Sequence, residues 1–333
     1  MGASRNVLVT GGAGFIGSHL TELLLTSGCR VTVADDESTG SFDNLSAVRD
    51  HERLIIVQGD VMDRLLVREL VADVDEVFHL AASVGVQRIA DAPIESIERN
   101  IAPVELLLSE LARKQQAGHA TSFFLASSSE VYGKNPKSTW TEEDDIVLGP
   151  TTYMRWSYGA SKAIDEFLAL AYHRQHGLPV VVGRFFNVVG PRQTGRYGMV
   201  LPRFVDRALA GKSPVVHDDG RQVRCFAHVA DVCRMVVALA AQPAAVGQVF
   251  NIGSDLPVSI LELAQRVLAV VDPSLAIEFQ SYREAYSDDF EDVRRRVPDL
   301  TKLRAVIEVG PQQDLDSVIR DVVAWKKGLG AGA

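Results

Sequence analysis

An α/β fold, with a doubly wound parallel sheet and a smaller C-terminal α/β domain, is predicted from two features of the sequence. The first is a glycine-rich turn that joins an apolar strand to a helix within residues 6–20. The second is a series of short apolar runs separated by segments long enough for crossover helices, which is typical of a parallel sheet covered on both faces. These runs lie at residues 31–34, 54–57, 77–80, 122–126 and 180–183.

The glycine-rich turn predicts a nucleotide site and makes the expected sheet one of the Rossmann type. Gly12, Gly14 and Gly17 satisfy the G-x-G-x-x-G spacing, and Gly11 extends it. Glycines are needed because the turn is tight and the backbone must approach a pyrophosphate, which then lies on the free N–H groups of the helix N-terminus. Helical spacing of apolar residues predicts further helices over residues 104–113 and 161–173.

Acidic residues after the second and third apolar runs favour NAD as the nucleotide. Asp35 and Asp36 follow the second run, where a carboxylate accepts from both ribose hydroxyls and disfavours the 2′-phosphate of NADP. Asp60 and Val61 follow the third run, where they would contact the adenine ring of the nucleotide. The small residues of Leu80, Ala81 and Ala82 let the chain pass close beside the cofactor. The residues predicted to bind NAD are Gly11, Gly14, Phe15, Ile16, Gly17, Asp35, Asp36, Asp60, Val61, Leu80, Ala81, Ala82, Asn100, Tyr158 and Lys162.

Composition and charge narrow the function classes. The net charge of −9 and the pI near 5.4 argue against a general nucleic-acid or acidic-membrane surface. Cys29, Cys225 and Cys233 show no metal-ligand spacing, so we expect buried free thiols and no metal site. The chain has no signal-peptide layout at its start and no apolar run long enough to cross a bilayer, so we expect a cytoplasmic protein.

Two segments carry the chemistry. Tyr158 and Lys162 are four residues apart, which places the phenol and the ammonium on one helix face. The ammonium and a positive nicotinamide would lower the pKa of the tyrosine and make it a general base. Upstream, Ser127, Ser128, Ser129 and Glu130 follow the fifth apolar run, at the strand end where substrate would lie.

Taken in order, these motifs resemble the extended short-chain dehydrogenase/reductases that act on nucleotide sugars. The resemblance rests on GGAGFIG, the paired aspartates, GDV, HLAA, SSSEVYG, YGASK and RFFNVVGPR, which fall between residue 7 and about residue 240. It implies tightly held NAD, a Ser/Thr-Tyr-Lys catalytic set, a UDP- or dTDP-linked hexose, and a homodimer through paired helices.

Carried over by position, the resemblance makes Ser128 the catalytic hydroxyl, Tyr158 the base, and Lys162 its partner, which also reaches the nicotinamide ribose. Catalytic roles are thus predicted for Ser128, Ser129, Glu130, Tyr158 and Lys162. Asn187, Arg203, Arg224 and Asp231 fall in segments that contact the substrate's diphosphate and uridine or support that pocket. One departure lies ahead of Asp292, where the family's epimerases often carry an arginine and this chain has Asp289. Arg294, Arg295 or Arg296 is left open as its replacement.

Three fates of a 4-keto sugar formed by Tyr158 are considered: 4-epimerisation, decarboxylation and 4,6-dehydration. Dehydratases need an Asp-Glu pair where this chain has Ser129 and Glu130, so dehydration is disfavoured. Ser-Glu also resembles UDP-glucuronate decarboxylases, although those enzymes carry aspartate and glutamate in place of Gly159 and Ala160. A sensor that binds NAD and a sugar nucleotide without turnover is disfavoured by the intact catalytic set.

The choice among these fates is predicted to depend on Arg192, whose planar guanidinium suits a carboxylate. If Arg192 faces C6 of the sugar, with help from Ser127 or Ser129, it would keep a 4-keto uronate from losing CO2. We therefore expect reversible 4-epimerisation of UDP-glucuronate to UDP-galacturonate. UDP-glucuronate decarboxylation and UDP-glucose/UDP-galactose 4-epimerisation are the alternatives for the reaction. For Arg192, the alternative is that it binds phosphate or pairs with a neighbouring carboxylate within the fold. The predicted substrate-binding residues are Ser127, Ser128, Ser129, Asn187, Arg192, Arg203 and Arg224.

A change in composition after residue 186, where glycine and proline become frequent, predicts the domain boundary. Residues 1–186 would form the NAD-binding domain and residues 187–333 mainly the substrate domain. A strand and helix near residues 215–250 are expected to return to the first domain.

Overall fold

The computed structural model describes residues 5–85, 92–195, 199–282 and 292–330. Asp289 and Arg196, the last residue of the loop that carries Arg192, lie outside the described residues.

A seven-stranded sheet forms the centre of the molecule, in the order β11-β6-β5-β4-β1-β2-β3. Every neighbouring pair in it is parallel. The predicted apolar runs coincide with β2 to β6, except that the run at residues 77–80 extends one residue past β4, and the predicted fold class is confirmed. The strands are β1 Asn6–Thr10, β2 Arg30–Asp35, β3 Leu54–Gln58, β4 Glu76–His79, β5 Ser122–Ser128, β6 Val180–Phe185 and β11 Gln248–Ile252.

Helices cover both faces of this sheet because alternate strand residues point to opposite sides. Leu8, Val77 and Phe123 pack with helices α2 to α4 on one face. Val9 and Phe124 pack with helices α1 and α6 on the other. These helices are α1 Phe15–Thr26, α2 Arg64–Val71, α3 Pro93–Gln116, α4 Ser157–His176 and α6 Val229–Ala240.

Shorter elements after residue 187 form a second core, in which α5, α7 and α9 pack together. Three two-stranded sheets accompany it, pairing β7 with β10, β9 with β12 and β8 with β13. Between these elements the chain returns once to the main sheet, since β11 pairs with β6. The domain boundary at residue 186 stays a prediction. The elements are β7 Val188–Val189, α5 Val200–Leu209, β8 Val215–His217, β9 Val223–Cys225, β10 Ala227–His228, β12 Pro257–Ser259, α7 Ile260–Val271, β13 Glu278–Gln280, α8 Thr301–Val306 and α9 Leu315–Gly330.

Helix α4 buries its charged face and exposes part of its apolar stripe. Lys162, Asp165 and Glu166 are all buried, whereas Ile164 and Phe167 are 45% and 68% exposed. Burial of charge on one helix face places polar groups directly against the sheet, next to the strand ends where ligands bind in open α/β sheets. In the described part of the chain, no helix has the length and apolarity needed to cross a bilayer.

Candidate active site

One cavity of about 1090 Å³ lies at the carboxyl ends of the parallel strands and extends between the two cores. Such a crevice, at the point where strand order reverses, is the usual ligand site of this fold. The predicted residues that line it are Gly11, Gly14, Phe15, Ile16, Gly17, Asp35, Asp36, Asp60, Val61, Leu80, Ala81, Ala82, Ser127, Ser128, Ser129, Glu130, Tyr158, Lys162, Asn187, Arg203 and Arg224. Asn100 and Arg192 are not among the lining residues.

The glycine-rich turn fits a dinucleotide. A side chain at Gly17 would place its Cβ 2.1 Å from the carbonyl oxygen of Gly11, and one at Gly11 would lie 2.6 Å from the nitrogen of Ala81. Helix α1 begins at Phe15 with no side-chain cap and no acidic residue in its first turn. Its first N–H groups are therefore open to an anion such as a pyrophosphate.

The acidic residues after β2 are held by local hydrogen bonds. Asp35 accepts from the backbone N–H groups of Ala13, at 3.0 Å, and Glu37, at 2.8 Å. Burial raises the pKa of Asp35, while these two bonds act against that rise. Asp36 accepts instead from Arg99 of α3 at 2.8 Å. Arg99 also lies 3.4 Å from Asp60, so it joins the two strand ends that face the nucleotide end of the cavity.

Asn100, which the sequence predicts to bind NAD, is not in the cavity lining, and its contact with the cofactor stays a prediction. Its side chain is 1% exposed and accepts from the backbone N–H of Ser83 at 2.8 Å. Its amide nitrogen lies 3.3 Å from the hydroxyl of Ser161 in α4. Asn100 thus links the segment after β4 to the helix that carries Tyr158 and Lys162.

The predicted catalytic residues come together where α4 meets the 3₁₀ helix Ser129–Tyr132. Gly159 permits the approach, because a Cβ there would lie 2.5 Å from the carbonyl oxygen of Glu130. The Ser128 hydroxyl lies close enough to the Tyr158 phenol to lower its pKa, and it accepts from the backbone N–H of Glu130 at 3.2 Å.

The electrostatic surroundings of Tyr158 differ from the prediction. Burial raises the pKa of Tyr158, and so do the negative charges of Glu130 and Asp165, while the Ser128 hydrogen bond and Arg296 lower it. The Lys162 ammonium lies 3.1 Å from a carboxylate oxygen of Asp165. Its contribution to the phenol is therefore shared with a buried counter-ion.

Three arginines surround two carboxylates beside Ser128. Glu130 pairs with Arg296 at 2.8 Å and with Arg155 at 3.2 Å. Arg224 donates to Asp292 at 2.9 Å. Although burial alone would raise it, the charges of Arg296 and Arg155 lower the pKa of Glu130 to about 2, so this carboxylate is ionised at neutral pH.

Arg192 does not occupy its predicted place at the sugar. Its guanidinium pairs with Glu22 of α1 at 2.5 Å, and its side chain is 17% exposed. The residue adopts a φ of 71°, which turns the chain toward α1 after Pro191. The alternative interpretation, a structural pairing within the fold, is the one that this geometry supports.

Ser127 lines the cavity, but its hydroxyl already donates its proton to Glu166 in a hydrogen bond. Its oxygen lies 2.5 Å from Glu166, which also binds the guanidinium of Arg184. Ser127 therefore presents lone pairs, and no free hydroxyl proton, to a ligand. Asp231 is fully buried outside the cavity wall and accepts from the backbone N–H groups of Gln312 and Gln313.

Several residues that line the cavity were not predicted from the sequence. Arg155 stacks 4.7 Å from the centre of the Trp156 ring and reaches Glu130, and its position just before the tyrosine helix was the available signal. Of the three arginines left open, Arg296 lines the cavity. Arg294 pairs with Asp219, and Arg295 donates to the carbonyl of Ser138.

The chain belongs to the NAD-dependent epimerase/dehydratase family, whose model matches residues 7–253, and it is an NAD-dependent enzyme. It is 36% identical, over 96% of its length and 97% of the relative, to a UDP-N-acetyl-α-D-glucosaminuronate decarboxylase of Bacillus cytotoxicus. Its fold is similar to an epimerase from Methanothermobacter thermautotrophicus, with a TM-score of 0.88, 26% identity, and coverage of 98% and 94% of the two chains.

A UDP-glucuronic acid 4-epimerase from Bacillus cereus, solved with UDP-glucuronic acid and NAD, is also similar. The TM-score is 0.84 and the identity 26%, with coverage of 97% of this chain and 99% of that one. Among the described residues no group of histidine, cysteine and acidic side chains could hold a metal ion. Cys29, Cys225 and Cys233 are buried free thiols.

Proposed function

We propose that this enzyme oxidises a UDP-linked hexuronate at C4 and releases its C6 carboxylate as CO2. The observation that carries the proposal is the place of two charged side chains relative to the cavity. Arg192, the expected carboxylate clamp, pairs with Glu22 outside the cavity, while the ionised Glu130 lies inside it beside Ser128. Without a clamp, a 4-keto uronate is a β-keto acid free to lose CO2.

The residues at C4 have assigned tasks in this proposal. Bound NAD, held by the glycine-rich turn and Asp35, supplies the hydride acceptor. Tyr158 takes the proton of the C4 hydroxyl, and Ser128, which lies beside that phenol in the cavity lining, orients the same oxygen. Lys162 lies on the same helix face and lines the cavity beside them.

Glu130 favours loss of CO2 over retention because it occupies the two arginines beside it. When CO2 leaves, its bonding electron pair moves toward the C4 oxygen, where the hydroxyl of Ser128 and the protonated Tyr158 can donate hydrogen bonds. Glu130 is paired with Arg296 and Arg155, so neither guanidinium is left to clamp the substrate carboxylate. A proton then adds at C5 and gives the UDP-linked 4-ketopentose. The UDP-linked pentose would form if the reduced cofactor returned its hydride to C4.

The Bacillus cytotoxicus decarboxylase, related over nearly the whole chain, supports this reaction. Reversible 4-epimerisation of UDP-glucuronate to UDP-galacturonate is the second candidate, and the similarity to the Bacillus cereus epimerase favours it. Gly159 and Ala160 favour it as well, since UDP-glucuronate decarboxylases resembling this chain carry acidic residues there. We infer that Asn187, Arg203 and Arg224, which line the cavity, bind the nucleotide diphosphate.

The resemblance also predicts a homodimer through paired helices. Apolar side chains exposed on α3 and α4 support that prediction, because helix pairing would bury them. They are Ile94, Ile97, Ile164 and Phe167.

The test is to incubate the enzyme with UDP-glucuronate and with UDP-N-acetylglucosaminuronate, separate the sugar nucleotides and trap CO2. We expect a pentose-type product with CO2 in equal amount, and no CO2 from UDP-glucose, which lacks the carboxylate. Glu130→Gln should slow CO2 release about tenfold or more, the effect of roughly 1.4 kcal/mol on the barrier, while bound NAD is still reduced. A C4-epimerised uronate without CO2 would favour the epimerase instead.

A further inference from the structure

The ion pair between Lys162 and Asp165 is the most deeply buried one near the cavity. Its side chains are 2% and 0% exposed, and the ammonium lies 3.1 Å from the carboxylate. The two residues are three apart on α4, so they share the face that packs against the sheet. Removing either charge from such a site leaves the other uncompensated in a dry environment.

The surroundings of Asp165 leave Lys162 as its counter-ion. Its second oxygen, Oδ1, has no hydrogen-bond partner among the described residues. Its charged neighbours are Lys162 and Glu166, and Glu166 is already bound to Arg184. His79 of β4 stays neutral, because burial and the Lys162 charge lower its pKa to about 3.

We propose that Asp165 is a positioning residue for the reaction, which anchors the Lys162 ammonium from the sheet side and keeps its remaining donors directed toward the cavity. An ammonium has three N–H donors, and Asp165 engages one of them. The side chain of Lys162 lines the cavity, where the phenol and the cofactor ribose would use the others. The inference rests on the proposed roles of Tyr158 and Lys162.

The same carboxylate acts on the base. Asp165 and Glu130 raise the pKa of Tyr158, and Arg296 lowers it. Asp165 therefore has two coupled effects: it orders the cation, and it sets the pH at which the phenol can accept a proton. Removal of its charge should shift that pH downward, since a negative charge near a phenol disfavours the phenolate.

The ion pair can be tested without turnover, by urea unfolding of the cofactor-free protein. Asp165→Asn and Lys162→Met should each lower the unfolding midpoint, because each leaves one buried charge unpaired. The double variant should be more stable than either single variant. A double variant as unstable as the two losses added together would show that the residues do not interact, whatever the enzyme's reaction.

The positioning role is tested by the pH profile of NAD reduction with UDP-glucuronate. For Asp165→Asn, half-maximal rate should occur about half a pH unit or more below the wild-type value, and Asp165→Glu should restore that value. Asp144→Asn, which removes another buried carboxylate away from the cavity, should leave the profile in place. The proposal would be overturned if Asp165→Asn lowered the rate by the same factor at every pH and left the half-maximal rate at the wild-type pH. If no UDP-sugar reduces the cofactor, the proposed function fails, and the unfolding comparison still decides the ion pair.

Discussion

Glu130 and Arg192 show how a counter-ion fixes the place of a charged side chain. Arg155 and Arg296 hold Glu130 beside Ser128, so its charge is ordered and cannot turn into solvent. Arg192 has the right shape to clamp a carboxylate, but its pairing with Glu22 of α1 holds it outside the cavity lining. The proposed reaction therefore depends on which counter-ion each charged group meets in the fold.

His79 provides a prediction at the same scale. Its ring is fully buried, its Nδ1 lies 2.7 Å from the Thr10 hydroxyl, and its pKa falls to about 3. The unfolded chain, with an ordinary pKa near 6.5, binds the proton more readily, so stability from the neutral ring is complete above that value and is lost as pH falls.

Denaturant unfolding at pH 7 and pH 5 gives the free energy of unfolding at each pH. Between pH 7 and pH 5 the wild type should lose about 2 kcal/mol more of this free energy than His79→Gln. His19, whose pKa burial lowers to about 4, is present in both proteins and cancels in the comparison. Equal losses for the two proteins would show that His79 is protonated or exposed in the folded state.

Helix α4 joins the two halves of the candidate site. Its outer face carries the exposed Phe167, while its inner face carries the buried Lys162, Asp165 and Glu166. The approach of its first turn to the 3₁₀ helix Ser129–Tyr132 depends on Gly159. At the scale of elements, the distance between Tyr158 and Ser128 is thus set by backbone contact.

Gly159→Ala tests that contact. The added methyl would lie 2.5 Å from the Glu130 carbonyl oxygen, so the helix must move away and the phenol with it. We expect NAD reduction to slow about tenfold or more, since small misplacements of reacting groups are costly. Gly328→Ala on α9 is the control, because nothing lies within 4 Å of its Cβ position. Wild-type rates in Gly159→Ala would mean that this approach does not position the base.

At the scale of the whole molecule, features that depend on local sequence patterns could be predicted, whereas contacts between distant residues could not. Alternating apolar runs and the glycine turn specify the parallel sheet, and a four-residue spacing places Tyr158 and Lys162 on one face. The partner of Arg192 lies 170 residues away in the chain, and no local spacing reports such a contact. The choice of Arg296 among three adjacent arginines likewise depends on how the second core packs on the first.

The central claim is that this cavity releases the uronate carboxylate, and a label at that carbon tests it most directly. UDP-glucuronate carrying ¹³C at C6 would be followed by NMR with the wild type and with Arg192→Ala. The account predicts that the label appears as ¹³C-bicarbonate with both proteins, because Arg192 does not restrain the carboxylate. Label retained in a C4-inverted uronate by the wild type, and released only by Arg192→Ala, would contradict it.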